Sequence, residues 1–282
     1  HPFSFREYLR HLGREPEAEP VHVPKAQRSA LEKDLRQYLI HGGFPEAVAS
    51  VPRDRFDLLK GYVDTALLRD VVERHAVSHP VALRWMVRHL LANAAGSFSV
   101  NKFYGDLRSQ GIPVAKDTLH EYLGYLEDAF LIRAVSLSTR SERRRMVNPR
   151  KVYPVDPGLI PLFDPSGRPN LGHALETCVM LELERRGAEV SYVRNKTGSE
   201  VDFLVRFPDG RRELLQVSVD MDAPDVRDRE LRGLVGAFTE HRGSTAHLIV
   251  LEPERPPGLP DSVHFHAATE WLLAEPPEGA SQ

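Results

Sequence analysis

Over roughly the first half of the chain, apolar side chains recur every three to four positions, the period of helices that bury one face. Leu31, Leu35, Tyr38 and Leu39 predict one such helix, which Gly42-Gly43 stops. Leu59, Val63, Ala66, Leu67 and Val71 place a second over residues 56–75, and a third covers residues 81–95. Ser99 caps a helix carrying Phe103, Tyr104 and Leu107, which ends at Gly111-Ile112-Pro113. A helix over residues 115–128 buries Leu119, Leu123 and Leu126 and runs into an apolar stretch, 130–135, of strand character. Residues 13–30 mix prolines with charges and have no apolar period, so a linker is expected there.

From residue 170 the pattern changes to helix (171–186), three strands (189–194, 200–207 and 211–219), helix, two strands (246–251 and 263–266) and a short helix around Trp271. Asp209-Gly210 has the chemistry of a hairpin turn. Leu231, Leu234, Val235 and Phe238 mark the second helix, and the last eight residues read as a disordered tail. Three short helices followed by a strand suggest a winged helix. The expectation is therefore a mixed α/β chain in three parts: a helical region over 1–78, a winged-helix module over 79–156 and an α/β domain over 157–282.

Composition adds bounds. At 282 residues the chain is long enough for two or three compact units, and 41% hydrophobic with 27% charged residues is the balance of a globular protein. A net charge of −3 supplies no global attraction to nucleic acid, so such binding needs a local basic patch. Cys178 is the one cysteine, which excludes an internal disulfide and fits a reducing cytoplasm. No apolar run reaches the roughly 20 residues that span a bilayer, and no signal peptide is visible, so no membrane partner is expected. The chain opens on His1-Pro2-Phe3 without a methionine, as a piece of a longer parent would.

Two stretches carry candidate chemistry. Glu176 falls in the first helix of the last domain, Asp202 in its second strand and Gln216-Val217-Ser218 in its third. Metal-dependent nucleases of the PD-(D/E)XK pattern hold Mg²⁺ or Mn²⁺ with carboxylates from adjacent strands, because these ions prefer hard oxygen ligands, and a lysine polarises the attacking water. Glu200 and Asp202, two apart on a strand, share a face. Glu176, Asp202, Gln216 and Ser218 are the candidate catalytic set, with Glu176 and Asp202 as metal ligands. Gln216 and Ser218 stand where Glu and Lys would be expected, so the lysine charge is missing. Arg194 or Lys196 would have to supply it, and Asp220 adds a carboxylate. The same acids also fit ordinary exposed strands and a solvated helix face.

The second stretch is RSERRRMVNPRK, in which Arg140, Arg143, Arg144, Arg145, Arg150 and Lys151 face a single acid, Glu142. It occupies the wing of a winged helix, where cations contact phosphates. Helix 115–128 is then the recognition helix, offering Lys116, Thr118 and His120, whereas Glu121, Glu127 and Asp128 would be repelled by phosphate. A solvated loop and a packing helix are the alternative. The thirteen histidines are dispersed, and the closest pair, His264 and His266, has no acidic or cysteine partner at zinc-site spacing. No phosphate-binding G-x-x-x-x-G-K-[ST] loop is present, so P-loop ATP hydrolysis lies outside this stretch of sequence.

Several segments in order resemble one family. They are His1 to Leu9, Gly42-Gly43-Phe44-Pro45-Glu46, Tyr62 to Asp70, Thr118 to Glu127, and Asn148 to Leu159. They continue with Gly172, Glu176, Glu200-Val201-Asp202-Phe203, Gln216-Val217-Ser218 and Arg229-Glu230-Leu231. Together the chain resembles the C-terminal part of a prokaryotic AAA-type ATPase family, whose C-terminal module is known as domain of unknown function 4143 and is similar to the PD-(D/E)XK nuclease fold. The resemblance implies an upstream domain that binds ATP, homo-oligomerisation through that parent, and a DNA-directed accessory half. Ser218 in place of lysine looks shared by such relatives, which sets binding or docking beside cleavage as the role of the last domain. Three functions are carried forward: DNA-binding accessory region, divalent-metal-dependent endonuclease, and protein-interaction module.

Overall fold

A computed structural model describes residues 1–17, 23–164 and 169–274 of the chain. It is a mixed α/β protein with two sheets. The expected tail and residues 18–22 of the expected linker lie outside the described residues.

Helix α1 (Phe5–His11) starts at a complete capping box, Ser4 with Glu7. Helix α2 (Lys25–His41) begins inside the stretch expected to be a linker, because Pro24 precedes a run of good helix formers whose buried face, Leu31, Leu35, Tyr38 and Leu39, finds a partner only in the tertiary structure. Short α3 (Pro45–Val48) leads to α4 (Pro52–Ala66), which continues as a π-helical turn, Leu67–Glu73.

Helices α5 (Pro80–Ala92), α6 (Val100–Ser109) and α7 (Lys116–Asp128) surround a three-stranded antiparallel sheet ordered β1 (Ser97–Phe98), β3 (Arg150–Pro154), β2 (Ile132–Val135). This is the element order of a winged helix, and Ser99 caps α6 as expected by accepting from the Lys102 amide. The wing between β2 and β3 carries its own short helix, α8 (Glu142–Val147), capped by Ser141. A further turn and α9 (Ile160–Phe163) lead out.

The last part is α10 (Leu171–Arg185), then β4 (Glu189–Arg194), β5 (Glu200–Arg206), β6 (Arg212–Ser218), α11 (Pro224–Glu240), β7 (Thr245–Val250), β8 (Val263–Ala267) and α12 (Ala268–Leu273). The sheet runs β4-β5-β6-β7-β8, antiparallel across the first three strands and parallel across the rest. Phe203, Val205, Leu215 and Ile249 share a core with Leu175 and Val179 of α10 and with α12, while Val201, Leu214 and Leu248 pack with Leu231 and Leu234 of α11. Helices therefore cover both faces of the sheet, α10 and α12 on one and α11 on the other.

The cores do not divide at residues 78 and 156 as expected from the sequence. Helices α1 and α2 bury Phe5, Leu9, Leu35 and Tyr38 in the core of α10 and α12, whereas α4, the π-helical turn and the winged helix share a second core around Leu83, Met86, Leu90 and Tyr122. The amphipathic pattern identifies each buried face but not the face it meets. A staple joins the two cores: the buried carboxylate of Asp156 accepts from the Gly43 amide at 2.7 Å and the Gly158 amide at 2.8 Å. Burial pushes its pKa up to about 7 against the pull of those two amides.

Candidate functional site

Adjacent strands and one helix build the carboxylate cluster. β5 and β6 pair with Phe203 opposite Leu215, which brings Asp202 beside Gln216. Asn170 caps α10 by accepting from the His173 amide, and the helix brings Glu176 to the same point. What sits among these groups is Lys151, from the central strand of the winged-helix sheet.

The Lys151 ammonium lies 2.8 Å from Glu176 Oε1, 2.8 Å from Asp202 Oδ1 and 3.1 Å from Glu200 Oε1, with 4% of its side chain exposed. Two of its N–H groups donate to Glu176 and Asp202, and Glu200 adds an ion pair. Tyr153, two residues on and hence on the same face of β3, donates its hydroxyl to Glu176 Oε1 at 2.7 Å. Strand β3 is held on both sides, Lys151 opposite Ser97 of β1 and opposite Val135 of β2. Beyond β2 the chain reaches the five-stranded sheet: Ser138 donates its amide to the Tyr192 carbonyl, the Tyr192 amide donates to Ser136 O, and Tyr192 donates its hydroxyl to Pro149 O. The lysine is thus delivered by a strand that is docked at the sheet edge.

Asp202 has no oxygen to spare. Its Oδ2 accepts from the Gln216 side-chain amide at 2.9 Å and from the Val217 backbone amide at 3.0 Å. The same Gln216 amide donates to Glu230 Oε2 at 2.7 Å, and Gln216 Oε1 faces the Asp202 backbone N–H at 3.4 Å. A glutamate at position 216 would set its charge against two carboxylates. The neutral amide instead gives each one a hydrogen bond.

Burial disfavours the charge on Lys151, but Asp202, Glu176 and Glu200 outweigh it and raise its pKa, so the ammonium keeps its proton. Glu176 is pushed up to about 7 by burial and by the charge of Asp202, against Lys151 and Tyr153.

These contacts correct several expectations. Lys151 is buried in the cluster and is not a phosphate-contacting wing residue, because β3 turns it away from the wing. Gln216 acts as an amide donor between two acids, not as a metal ligand through its carbonyl. Ser218 bonds the Asp220 carbonyl at 2.9 Å, outside the cluster, and Asp220 Oδ1 caps the Asp222 amide. Arg194 pairs with Glu200 at 3.2 Å, while the Lys196 amide bonds Glu240, so neither brings the missing cation to Asp202. As for Mg²⁺ or Mn²⁺, the residues present do not fit such an ion: the point where Glu176 and Asp202 converge is filled by an ammonium at hydrogen-bonding distances. Among the described residues no group of three ligating side chains is arranged to hold a metal.

The basic stretch divides differently from its reading in the sequence. Arg140, Arg143, Arg144 and Arg145 are exposed on or beside α8, with Arg145 3.2 Å from Glu142. Lys116, His120 and Arg150 line one groove of about 510 Å³ between α7 and the wing, together with Met146, Val147, Asp117 and Glu121. Burial, helped by Arg150 and Lys116, lowers the pKa of His120 and disfavours its cationic form. Thr118 is half-buried, and Arg150 also pairs with Glu127 at 3.8 Å. Asp117, Glu121 and Asp128 are exposed on α7, so the basic surface is the wing rather than the helix.

The histidines are less dispersed than the sequence suggested. His247 on β7 stands opposite His264 on β8, and its Nδ1 is 2.9 Å from His266 Nε2. Its other nitrogen is 2.8 Å from Thr245 Oγ1 and 3.9 Å from Glu213. Burial first, then His266 and His264, lower its pKa to about 3, below the ordinary 6.5. The folded state then binds fewer protons than the unfolded one between those values. The stability that follows is complete above pH 6.5 and is lost as pH falls toward 3, by at most about 1.4 kcal/mol per pH unit. Glu176 and Asp156, with raised pKa values, slope the opposite way, so a variant isolates the histidine. Denaturant titrations of wild type and His247→Gln are expected to converge by roughly 2 kcal/mol between pH 6.5 and 5. A pH-independent difference would remove the histidine from the account.

Fold and site together define a mixed α/β protein in which Lys151 of the three-stranded sheet fills the carboxylate cluster formed by α10 and the five-stranded sheet. Residues 32–164 match a family described as a domain of unknown function (DUF8612). The chain is 29% identical over 256 residues to the uncharacterized protein MJ1544 of Methanocaldococcus jannaschii, a match covering 89% of this chain and 55% of that protein. It is also 29% identical over 226 residues to an uncharacterized protein of Haemophilus influenzae, covering 80% of this chain and 53% of the other. The chain therefore spans about half the length of the curated relatives it matches. No solved structure matches it. Among the described residues no helix is long and apolar enough to cross a membrane.

Proposed function

We propose that this chain is a DNA-binding accessory region of an AAA-type ATPase, in the cytoplasm, whose nuclease-like domain serves as a scaffold and does not cut. The observation that carries the binding role is the wing, which turns Arg140, Arg143, Arg144 and Arg145 to solvent with Glu142 as the one acid on α8. Exposed, weakly paired arginines suit bidentate contact with phosphate. The acids on α7 keep that helix from lying deep in a groove, so contact runs through the wing and the Lys116 end of α7. Relatives about twice as long as the shared stretch suit an accessory role, and ATP binding and oligomerisation belong to the parent protein.

Fluorescence anisotropy with duplex DNA tests this. Binding is expected at about 50 mM salt, and replacing Arg143, Arg144 and Arg145 together by alanine should weaken it at least tenfold, lowering the salt slope by up to about 3. Undetectable wild-type binding, or a triple variant that binds as well as wild type, sinks the proposal. A co-purifying protein with no DNA affinity would replace it with protein docking.

Endonuclease activity has one observation in its favour: Lys151 brings beside Asp202 the cation that Ser218 lacks. DNA cleavage in Mg²⁺ or Mn²⁺ that disappears in Asp202→Ala would establish that reading, and intact DNA after prolonged incubation would retire it.

A further inference from the structure

We infer that Lys151 takes the place of a divalent cation in the carboxylate cluster, so that docking of the winged helix and binding of a metal ion at this point exclude one another. Four features support this. The three oxygens around Nζ, at 2.8, 2.8 and 3.1 Å, are spaced for an ammonium, whereas Mg²⁺ would draw its ligands in to roughly 2.0–2.1 Å. The Lys151 backbone is held on the central strand of its sheet, and its side chain is 4% exposed. The remaining oxygen of Asp202 and both N–H groups of Gln216 are spent on internal hydrogen bonds. Tyr153 supplies a second contact from the same strand to Glu176. The nuclease-like sheet thus keeps a cation-binding constellation whose cation belongs to the chain. Its role is to fix the winged helix against the α/β domain as one unit.

The inference is independent of whether the wing binds DNA. It is tested with Mn²⁺ alone, titrated by calorimetry into metal-free protein. Wild type should show no binding that depends on Asp202 up to millimolar Mn²⁺. Lys151→Ala should gain a site at least tenfold tighter than any in wild type, and the double variant Lys151→Ala/Asp202→Asn should lose it. Wild-type binding abolished by Asp202→Asn overturns the inference, as does a folded Lys151→Ala that gains nothing. If Lys151→Ala does not fold, the comparison of wild type with Asp202→Asn decides, with absent Asp202-dependent binding supporting the exclusion and present binding refuting it.

Discussion

Lys151→Met is expected to destabilise the protein by about 3–5 kcal/mol at pH 7.5, the cost of leaving a buried ion cluster without one of its signs. The methionine nearly preserves volume, so the loss is electrostatic. Glu176, Glu200 and Asp202 would face one another with Arg194 on Glu200 as the remaining cation. Their shared escape is protonation. The carboxylate pKa values of the variant rise above those of the unfolded chain, so its stability should recover as pH falls through those raised values toward 5 and be lost again as pH rises. Adding Asp202→Asn to Lys151→Met should restore part of the stability, because Glu176 and Glu200 then face one negative charge fewer while the Asn oxygen can still accept from the Val217 amide. Urea unfolding of the single and double variants at pH 7.5 and pH 5.5 measures this. A single variant within about 1 kcal/mol of wild type at both pH values would mean that the cluster is a surface ion pair in all but appearance.

Gly42→Ala should be nearly as damaging. Gly42 has φ +79° and ψ −176°, a region essentially reserved for glycine that costs an L-residue about 1–3 kcal/mol, and a Cβ there would fall inside the Asp156 carboxylate. That carboxylate cannot retreat, since it holds the Gly43 and Gly158 amides from a fully buried position. Strain and displacement together should cost about 3–5 kcal/mol. Gly61→Ala in α4, where a Cβ meets nothing within 4 Å, is the contrast and should stabilise by up to about 1 kcal/mol. Differential scanning calorimetry of the two variants should move the melting temperature in opposite directions. Equal shifts would show that helix propensity, not the Asp156 staple, governs both sites.

Much of the secondary structure was legible because each element carries its own period. The helix over 171–186 and the strands 189–194 and 200–207 are found within a residue or so of their expected bounds. Helix α2 was partly hidden, because its first turns have no apolar spacing and depend on the helix's later contacts. The wing helix α8 was hidden for a different reason: it buries nothing, so it leaves no apolar pattern to read.

The candidate site was legible in part. Asp202 and Gln216 could be paired from strand order alone, and the alternation of β5 placed Glu200 with Asp202. Lys151 was visible as a charge but was assigned to the wrong surface, since it closes a run of wing arginines. The one sequence signal against that assignment is Val152-Tyr153-Pro154-Val155 directly after it, which marks Lys151 as the start of a buried strand and not the end of a loop. His247 could not be joined to His264 and His266, because their pairing depends on the register of two parallel strands.

By itself the sequence determined the mixed α/β class, the order of the elements from residue 171 onward, the faces they bury and the position of an incomplete carboxylate motif, because each of these is encoded in local spacing and residue type. Only the tertiary structure decided that the missing positive charge arrives from β3, 51 residues before Asp202, and that α1 and α2 belong with the last domain. The physical reason is common to both. Local periodicity specifies what a residue must be buried against, apolar or charged, but the identity of the partner depends on long-range packing that no short window contains.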